Sequence, residues 1–278
     1  MIPLAQIREA VAIYEGRQRA TARERATRPA VVRLRRAYQG VFRKQGELFL
    51  KSFRRLRPLF PLTEASPTAV TDTMPLLDLA LAATAEEAQA AIEAGIAQGI
   101  EQGGKALIRM VGGGGISFNL AFPEAEAYIM RVGAARVANI DDTTRKIIRQ
   151  IVTAAVENGT AWDKVAKEIT DQFAHFALRP NYVVSWLNNR AELVAVTEVG
   201  NAYEEGSRIM ANRLSMAGLQ MEKRWAGPND DRTSKNCQDN LAAGWIPLAD
   251  AFPSGAQQPL DHPGCRHTAL YRRIRPQP

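Results

Sequence analysis

DDTTRKIIRQIVTAAVENGTAWDKVAKEITDQF, residues 141–173, decides the fold class. Asp141 or Asp142 stands where a helix N-cap belongs, ahead of IIRQIVTAAVE, because a short carboxylate accepts from the unpaired amides of a first turn. Asn158-Gly159 ends that helix, since both residues tolerate left-handed backbone. Thr160 with Asp163 fits a capping box for the next helix, WDKVAKEITDQF. Upstream, Pro123 opens a further helix that runs to about Asn139. Residues 76–109 read as helix, with Thr84 and Glu87 as a capping box, and Gly112–Gly115 break it as a hinge rather than a phosphate loop. Downstream, Pro180 precedes a long helix over about 185–217, closed by Gly218. From Trp225 to Ile274 the texture changes to short apolar stretches split by Gly, Pro, Asn and Asp, as strands and turns require. The fold class is therefore mainly α: a helical body with a basic N-terminal helical arm and a small α+β C-terminal module.

The arm carries the charge. The 278 residues hold 36 Lys and Arg against 29 Asp and Glu, a net charge of +7. Between Arg17 and Arg57 fourteen basic residues face only Glu24 and Glu47, so this stretch is basic and the remainder mildly acidic. Leu34, Tyr38, Val41, Phe42, Phe49, Phe53 and Leu56 recur at three- and four-residue steps, which makes residues 31–57 an amphipathic helix. Its cations, Arg33, Arg35, Arg36, Arg43, Lys44, Arg54, Arg55 and Arg57, suit nonspecific contact with DNA phosphates. No aromatic-interleaved base-stacking surface is evident, so sequence-specific readout is not expected. Pro58, Pro61, Pro67 and Pro75 stop any helix and make a linker. The division expected is 1–75 as arm and Pro-rich linker, 76–224 as helical body and 225–278 as the Cys/His module.

Several function classes fall away. A 46% hydrophobic, 23% charged chain is of ordinary globular composition. Its longest apolar run, Met74–Ala83, contains Pro75 and Asp78 and is too short for a bilayer. The N-terminal residues carry no basic lead and no small-residue cleavage site, so no secretory signal is expected. There is no Gly-x-Ser-x-Gly elbow, acidic residues do not cluster, and the three histidines leave few routes to a catalytic set. His175, between Phe173 and Phe176, reads as a core-edge residue. Glu198, on an otherwise apolar stretch, is expected to pair with Arg224 or Arg266 and so dock the long helix on the C-terminal module. Asp230, Asp231 and Arg232 read as a turn.

The C-terminal third resembles the phage Mu F-like minor head (head morphogenesis) proteins. The matching text is the helix RAELVAVTEVGNAYEEGSRIMANR, the tryptophan strand in KRWAGPNDDRTSKNC, Gly244 and Pro247, the AFPSG turn and HPGCRH. The preceding helices from about Ile140 are similar too. The family pattern is Cys-x-x-Cys, a spacer, then His-Pro-x-Cys-Arg-Cys. Here Asn240 stands at the second Cys, His267 at the last, and Val196 at the Arg of an Arg-Thr-Glu core. The resemblance implies a structural, non-enzymatic virion protein, placed in the phage head near the portal and in the host cytoplasm during assembly. Its implied partners are the portal protein and the capsid, with genomic DNA reached through the basic arm, and no membrane. A metal-dependent nuclease or hydrolase carried in the head, and a free-standing DNA-binding protein, are the alternatives.

Cys237, His262, Cys265 and His267 make four soft ligands, the number a tetrahedral structural zinc requires. His262 and Cys265 have a chelating spacing on a turn, and Cys265 and His267 share one side of a strand. Three readings fit these residues: structural zinc as cofactor, a Cys237–Cys265 disulfide, or a His-Pro turn held by hydrogen bonds over packed cysteines.

Overall fold

The computed structural model describes residues 4–55, 69–113, 115–177 and 190–274. They form seven helices and three strands: α1 (Leu4–Arg55), α2 (Ala69–Ala82), α3 (Ala85–Val111), α4 (Pro123–Glu157), α5 (Trp162–Phe176), α6 (Arg190–Met216), β1 (Met221–Ala226), α7 (Lys235–Ala242), β2 (Trp245–Pro247) and β3 (Thr268–Arg273). The mainly α class with a small C-terminal α+β module is what the chain adopts. Two compact units divide it. One is built from residues 1–32, 95–129 and 194–278, the other from 33–94 and 130–193.

The second unit is organised by the apolar face of the basic segment. Leu34, Tyr38, Val41, Phe42, Phe49 and Phe53 are all buried. Phe42 meets Phe176 with ring centroids 5.4 Å apart, and Phe49 meets Phe173 at 6.3 Å. Gly46 lets α5 come close, because a Cβ there would stand 2.9 Å from the Cβ of Phe173. Arg190 lies over the Phe42 and Phe176 rings and donates to the Thr144 hydroxyl and the Ile140 carbonyl. Residues 34–53 are thus core, and the cations between them line its outer side. Leu56 and Arg57 lie outside the described residues.

Several boundaries differ from the sequence expectation. Pro75 does not stop a helix: α2 begins at Ala69 and runs through it, with Ala69, Thr73, Met74, Leu77, Ala80 and Leu81 buried on one stripe. A proline inside a helix costs about 3 kcal/mol. Each buried Met or Leu returns roughly 1.5–3 kcal/mol, so the stripe wins. Likewise α4 is one helix from Pro123 to Glu157, with no break at Asp141. No Pro or Gly stands between Ala134 and Glu157 to interrupt it.

Neither capping box forms. Thr84 sits between α2 and α3, but its hydroxyl turns back to the Ala80 and Leu81 carbonyls and accepts from Gln45, while Glu87 pairs with Lys44 at 2.9 Å. The N-cap of α5 is Ala161, with no side-chain cap bond, one residue beyond Thr160. The turns at Gly159, Gly112 and Gly218 are where the sequence puts them, with φ of 58°, 70° and 95°. His175 is exposed, its neighbours Phe173 and Phe176 taking the buried face.

In the first unit, α3 and α6 cross almost backbone to backbone. A Cβ on Gly103 would lie 1.8 Å from the Tyr203 carbonyl oxygen, and one on Gly206 2.0 Å from that of Ile100. Ser207 Oγ donates to the Gly103 carbonyl across the crossing, at 3.1 Å. Beyond α6 the chain folds into an antiparallel sheet of order β2-β1-β3. Trp225 of β1 pairs with Ala269 of β3, and Arg224 with Trp245 of β2. Trp225, Phe252, Cys237 and Cys265 form the small core beneath it.

Candidate functional site

The Cys/His residues converge because three separate elements deliver them. Ser234 caps α7 and its side chain accepts from the Cys237 amide, which places Cys237 in the first turn of that helix. A helix N-terminus favours a thiolate there. The turn after His262 closes through the Cys265 amide to the His262 carbonyl, 3.1 Å, and is held to α6 by the Gly264 amide donating to Thr197 Oγ1, 3.2 Å. His267 immediately precedes β3, and its backbone is fixed by the strand pairing that begins at Thr268.

Cys237 Sγ lies 3.8 Å from Cys265 Sγ, and Cys265 Sγ lies 3.3 Å from His267 Nδ1. The ligand atoms of Cys237, Cys265 and His267 all fall within 4.8 Å of one another, and all three residues are buried. Zn–S bonds near 2.3 Å and Zn–N bonds near 2.05 Å would set tetrahedral edges of roughly 3.8 Å between sulfurs and roughly 3.5 Å between sulfur and nitrogen. The Cys237–Cys265 and Cys265–His267 separations are close to those edges. His262 stands beside Cys237 alone, its Nε2 3.9 Å from the sulfur, and is outside the converging set. The two cysteines are free thiols at this separation, so the disulfide reading does not describe the structure.

The surroundings prepare these atoms as donors. His267 Nε2 is 2.9 Å from the Pro228 carbonyl, so that nitrogen carries the proton and Nδ1 presents its lone pair to the cysteines. Gly227 admits the imidazole: a Cβ there would meet His267 Cδ2 at 2.7 Å. The Cys237 thiol is lowered to about 7, first by the bond from Cys265, with Ser234 and the Trp225 indole also favouring the thiolate against burial. The Trp225 N–H is buried without a hydrogen-bond partner, and its nearness favours the Cys237 thiolate only slightly. Cys265 is pushed up to about 12 by its bond to Cys237 and by burial. The pair thus favours a thiolate on Cys237 beside a thiol on Cys265, and a divalent cation would take the place of the remaining proton. The donor set fits zinc: two sulfurs and an imidazole from the chain, with the His262 imidazole 3.9 Å from the Cys237 sulfur as a candidate for a fourth position.

Asn240, at the place of a second cysteine, is not a ligand. It is buried and grips the AFPSG turn, donating to Ser254 Oγ at 2.9 Å and accepting from the Ser254 amide at 3.0 Å. Arg266 does not pair with Glu198. It makes a fork to Asp230, whose carboxyl also accepts from the Arg232 amide, so the predicted Asp-Asp-Arg turn is clamped to the loop between Cys265 and His267.

The acid of α6 that meets both an arginine and the C-terminal module is Glu204, six residues beyond Glu198. It is fully buried and contacts Arg23, the Thr268 hydroxyl at 2.6 Å and the Ala269 amide at 3.0 Å. Sequence reasoning missed it because its partners lie 181, 64 and 65 residues away.

The cations expected to contact nucleic acid sort into two groups. Arg33, Arg36, Arg43, Lys44, Arg54 and Arg55 are exposed. Arg35 is half-buried and bound to Glu192 at 3.0 Å, and Lys44 is bound to Glu87. Arg36, Arg43 and Arg54 are separated by 7 and 11 residues, which puts them within about 20° of one line along α1, spanning about 27 Å.

Residues 146–270 match the family described as Phage Mu protein F like protein, a stretch holding all four Cys/His residues and the whole of α6. Nothing among curated proteins or solved structures matches the chain. Among the described residues no helix is long and apolar enough to cross a membrane. The order of helix, tryptophan strand and Cys/His turn over residues 146–270 is thus similar to that of the Phage Mu F-like family, a likeness that points to phage head morphogenesis.

Proposed function

We propose that this protein is a minor head component of a tailed phage or prophage that associates with the portal and acts in head assembly, genome packaging or ejection. The observation that carries the reading is the family match over α6 and the Cys/His module. It is supported by a cluster whose three convergent donors are buried, as a structural centre requires. On this reading the protein joins the portal in the host cytoplasm and stays in the virion. Zinc held by Cys237, Cys265 and His267, with His262 beside them, is a structural cofactor that closes a module of little apolar core. The exposed cations of α1 face the packaged DNA. The deciding experiment is co-expression with the portal protein of the same phage, followed by size-exclusion chromatography at moderate salt. A co-eluting complex is expected, and two separate folded proteins would overturn the reading.

A further inference from the structure

We propose that Arg23, far from the Cys/His cluster in sequence, is a positioning residue for it and ties the N-terminal helix to the module; this rests on the cluster being a metal centre. Arg23 belongs to the most basic stretch of the chain, yet its side chain is only 6% exposed. A buried guanidinium is costly unless its donors are met. One nitrogen, Nη1, meets two acceptors: Glu204 Oε1 at 3.3 Å and the backbone carbonyl of His267. The same Glu204 receives the next two residues, through the Thr268 hydroxyl and the Ala269 amide. Arg23 and Glu204 together therefore hold three consecutive residues, 267 to 269, by the backbone or by a short side chain.

That grip completes the orientation of the imidazole. His267 is held at its carbonyl by Arg23, at Nε2 by the Pro228 carbonyl and across its ring edge by Gly227. With those points fixed, Nδ1 faces Cys265 Sγ. Removing Arg23 frees the carbonyl and leaves Glu204 buried without its counter-charge, so the 267–269 backbone must relax. Support of this outer kind is typically worth 10–100-fold in metal affinity. Thr27, one turn along α1, donates to the Arg23 carbonyl at 2.9 Å, so the arginine projects from intact helix and its reach depends on α1 staying docked in this unit.

The test uses the full chain with Arg23→Met, Arg23→Gln and Arg23→Lys, with circular dichroism to select folded variants. Cobalt(II) is the probe, read by its visible bands and by chelator competition. Arg23→Met and Arg23→Gln are expected to weaken cobalt binding about 10–100-fold and to alter the bands. Arg23→Lys should recover part of the loss, because an ammonium keeps the charge but not the reach and geometry of Nη1. A folded Met or Gln variant with wild-type affinity and spectrum overturns the proposal. A separate reading comes from metal-free protein, where the ring nitrogen signals of His267 should report a single Nε2–H tautomer that Arg23→Gln averages. If wild type takes up neither cobalt nor zinc, the metal reading falls by itself. Unchanged ring signals in the variants would then remove the positioning role as well.

Discussion

Replacing Gly103 by alanine should destabilise the first unit, although alanine is the better helix former. The added Cβ would lie 1.8 Å from the Tyr203 carbonyl oxygen and 2.7 Å from its carbon. These are main-chain atoms of α6, so no side-chain rotation relieves the clash. Real Cβ atoms essentially never come within 3.0 Å of such a neighbour, so the helices must part by about 1.2 Å. Overpacking of this kind costs about 1–3 kcal/mol, and a rigid backbone obstacle belongs at the upper end. Parting the helices also stretches the Ser207 bond to the Gly103 carbonyl, worth about 1 kcal/mol. Against this stands a helix-propensity gain of about 1 kcal/mol. The net expectation is a loss of about 2–3 kcal/mol. Gly206→Ala, which meets the Ile100 carbonyl oxygen at 2.0 Å, should cost a similar amount. The double variant should cost less than the sum, because both substitutions force the same separation.

Gly40→Ala is the control. A Cβ there meets nothing within 4 Å, and Gly40 is an interior residue of α1. It should gain up to about 1 kcal/mol. Urea unfolding followed by circular dichroism reads wild type and all four variants. Gly103→Ala as stable as wild type, or shifted in the same direction as Gly40→Ala, would refute the close crossing.

Asp141 is raised to about 6, chiefly by burial and against the opposing pull of Arg145 and Arg190. Its folded value exceeds its ordinary one, so the stability it confers is complete below about pH 4 and is lost as pH climbs through 6. Asp141→Asn should therefore gain about 1 kcal/mol over wild type at pH 7, after allowing for solvent screening, and almost nothing at pH 4; equal effects at both pH values would exclude the buried anion. Protein purified without chelator should carry about one zinc per chain by elemental analysis. Cys265→Ser should release it and open residues 226–274 to protease; a metal-free wild type with a protected module would leave the His-Pro turn to hydrogen bonds alone. Changing Arg36, Arg43 and Arg54 together to Gln should reduce the salt slope of DNA binding by about three, if each meets one phosphate; an unchanged slope in fluorescence anisotropy assigns these cations to another partner.

What was legible in the sequence depended on local information. The stripe Leu34 to Phe53 identifies a helix and its buried face from spacing alone, and the structure buries those residues. Cys237, Cys265 and His267 were legible because soft ligands are rare in the chain and Cys265 and His267 stand two residues apart. The basic segment was harder. Its charges suggest an arm that stands off the body, but the aromatic residues between them are core residues. Cutting away residues 1–60 would remove Phe42, Phe49 and Phe53 from their partners, which is why substitutions rather than a truncation test the cationic face. The capping boxes failed for another reason. Thr84 and Glu87 have the right spacing, but Gln45 and Lys44 of α1 offer each a better partner than a helix end does.

The glycine crossing did leave a signal: Gly95, Gly99 and Gly103 repeat at four-residue spacing, the mark of helices that approach closely. Arg23 left none, since no local pattern separates one buried arginine from the thirteen other basic residues around it.

Helix α6 explains why the module depends on distant parts of the chain. Thr197, Gly200 and Glu204 lie at steps of three and four, so they share a face. Thr197 holds the Gly264 amide, Gly200 receives Leu260, and Glu204 holds the Thr268 hydroxyl and the Ala269 amide. Gly206 and Ser207, one turn further, face α3 instead. The helix is therefore a beam with the Cys/His loop on one side and the glycine crossing on the other. The family match ends at residue 270 and begins at 146, so it includes this beam and its loop. It omits Arg23 and the α3 glycines, which supply the counter-charge for Glu204 and the close approach of the second helix. Expressed alone, the matched stretch would bury Glu204 against two hydrogen-bond donors and no cation, an arrangement that an isolated carboxylate escapes by taking up a proton or by unfolding its surroundings. The N-terminal helix is in this sense tied to the Cys/His cluster, through a single guanidinium that reaches the backbone of His267.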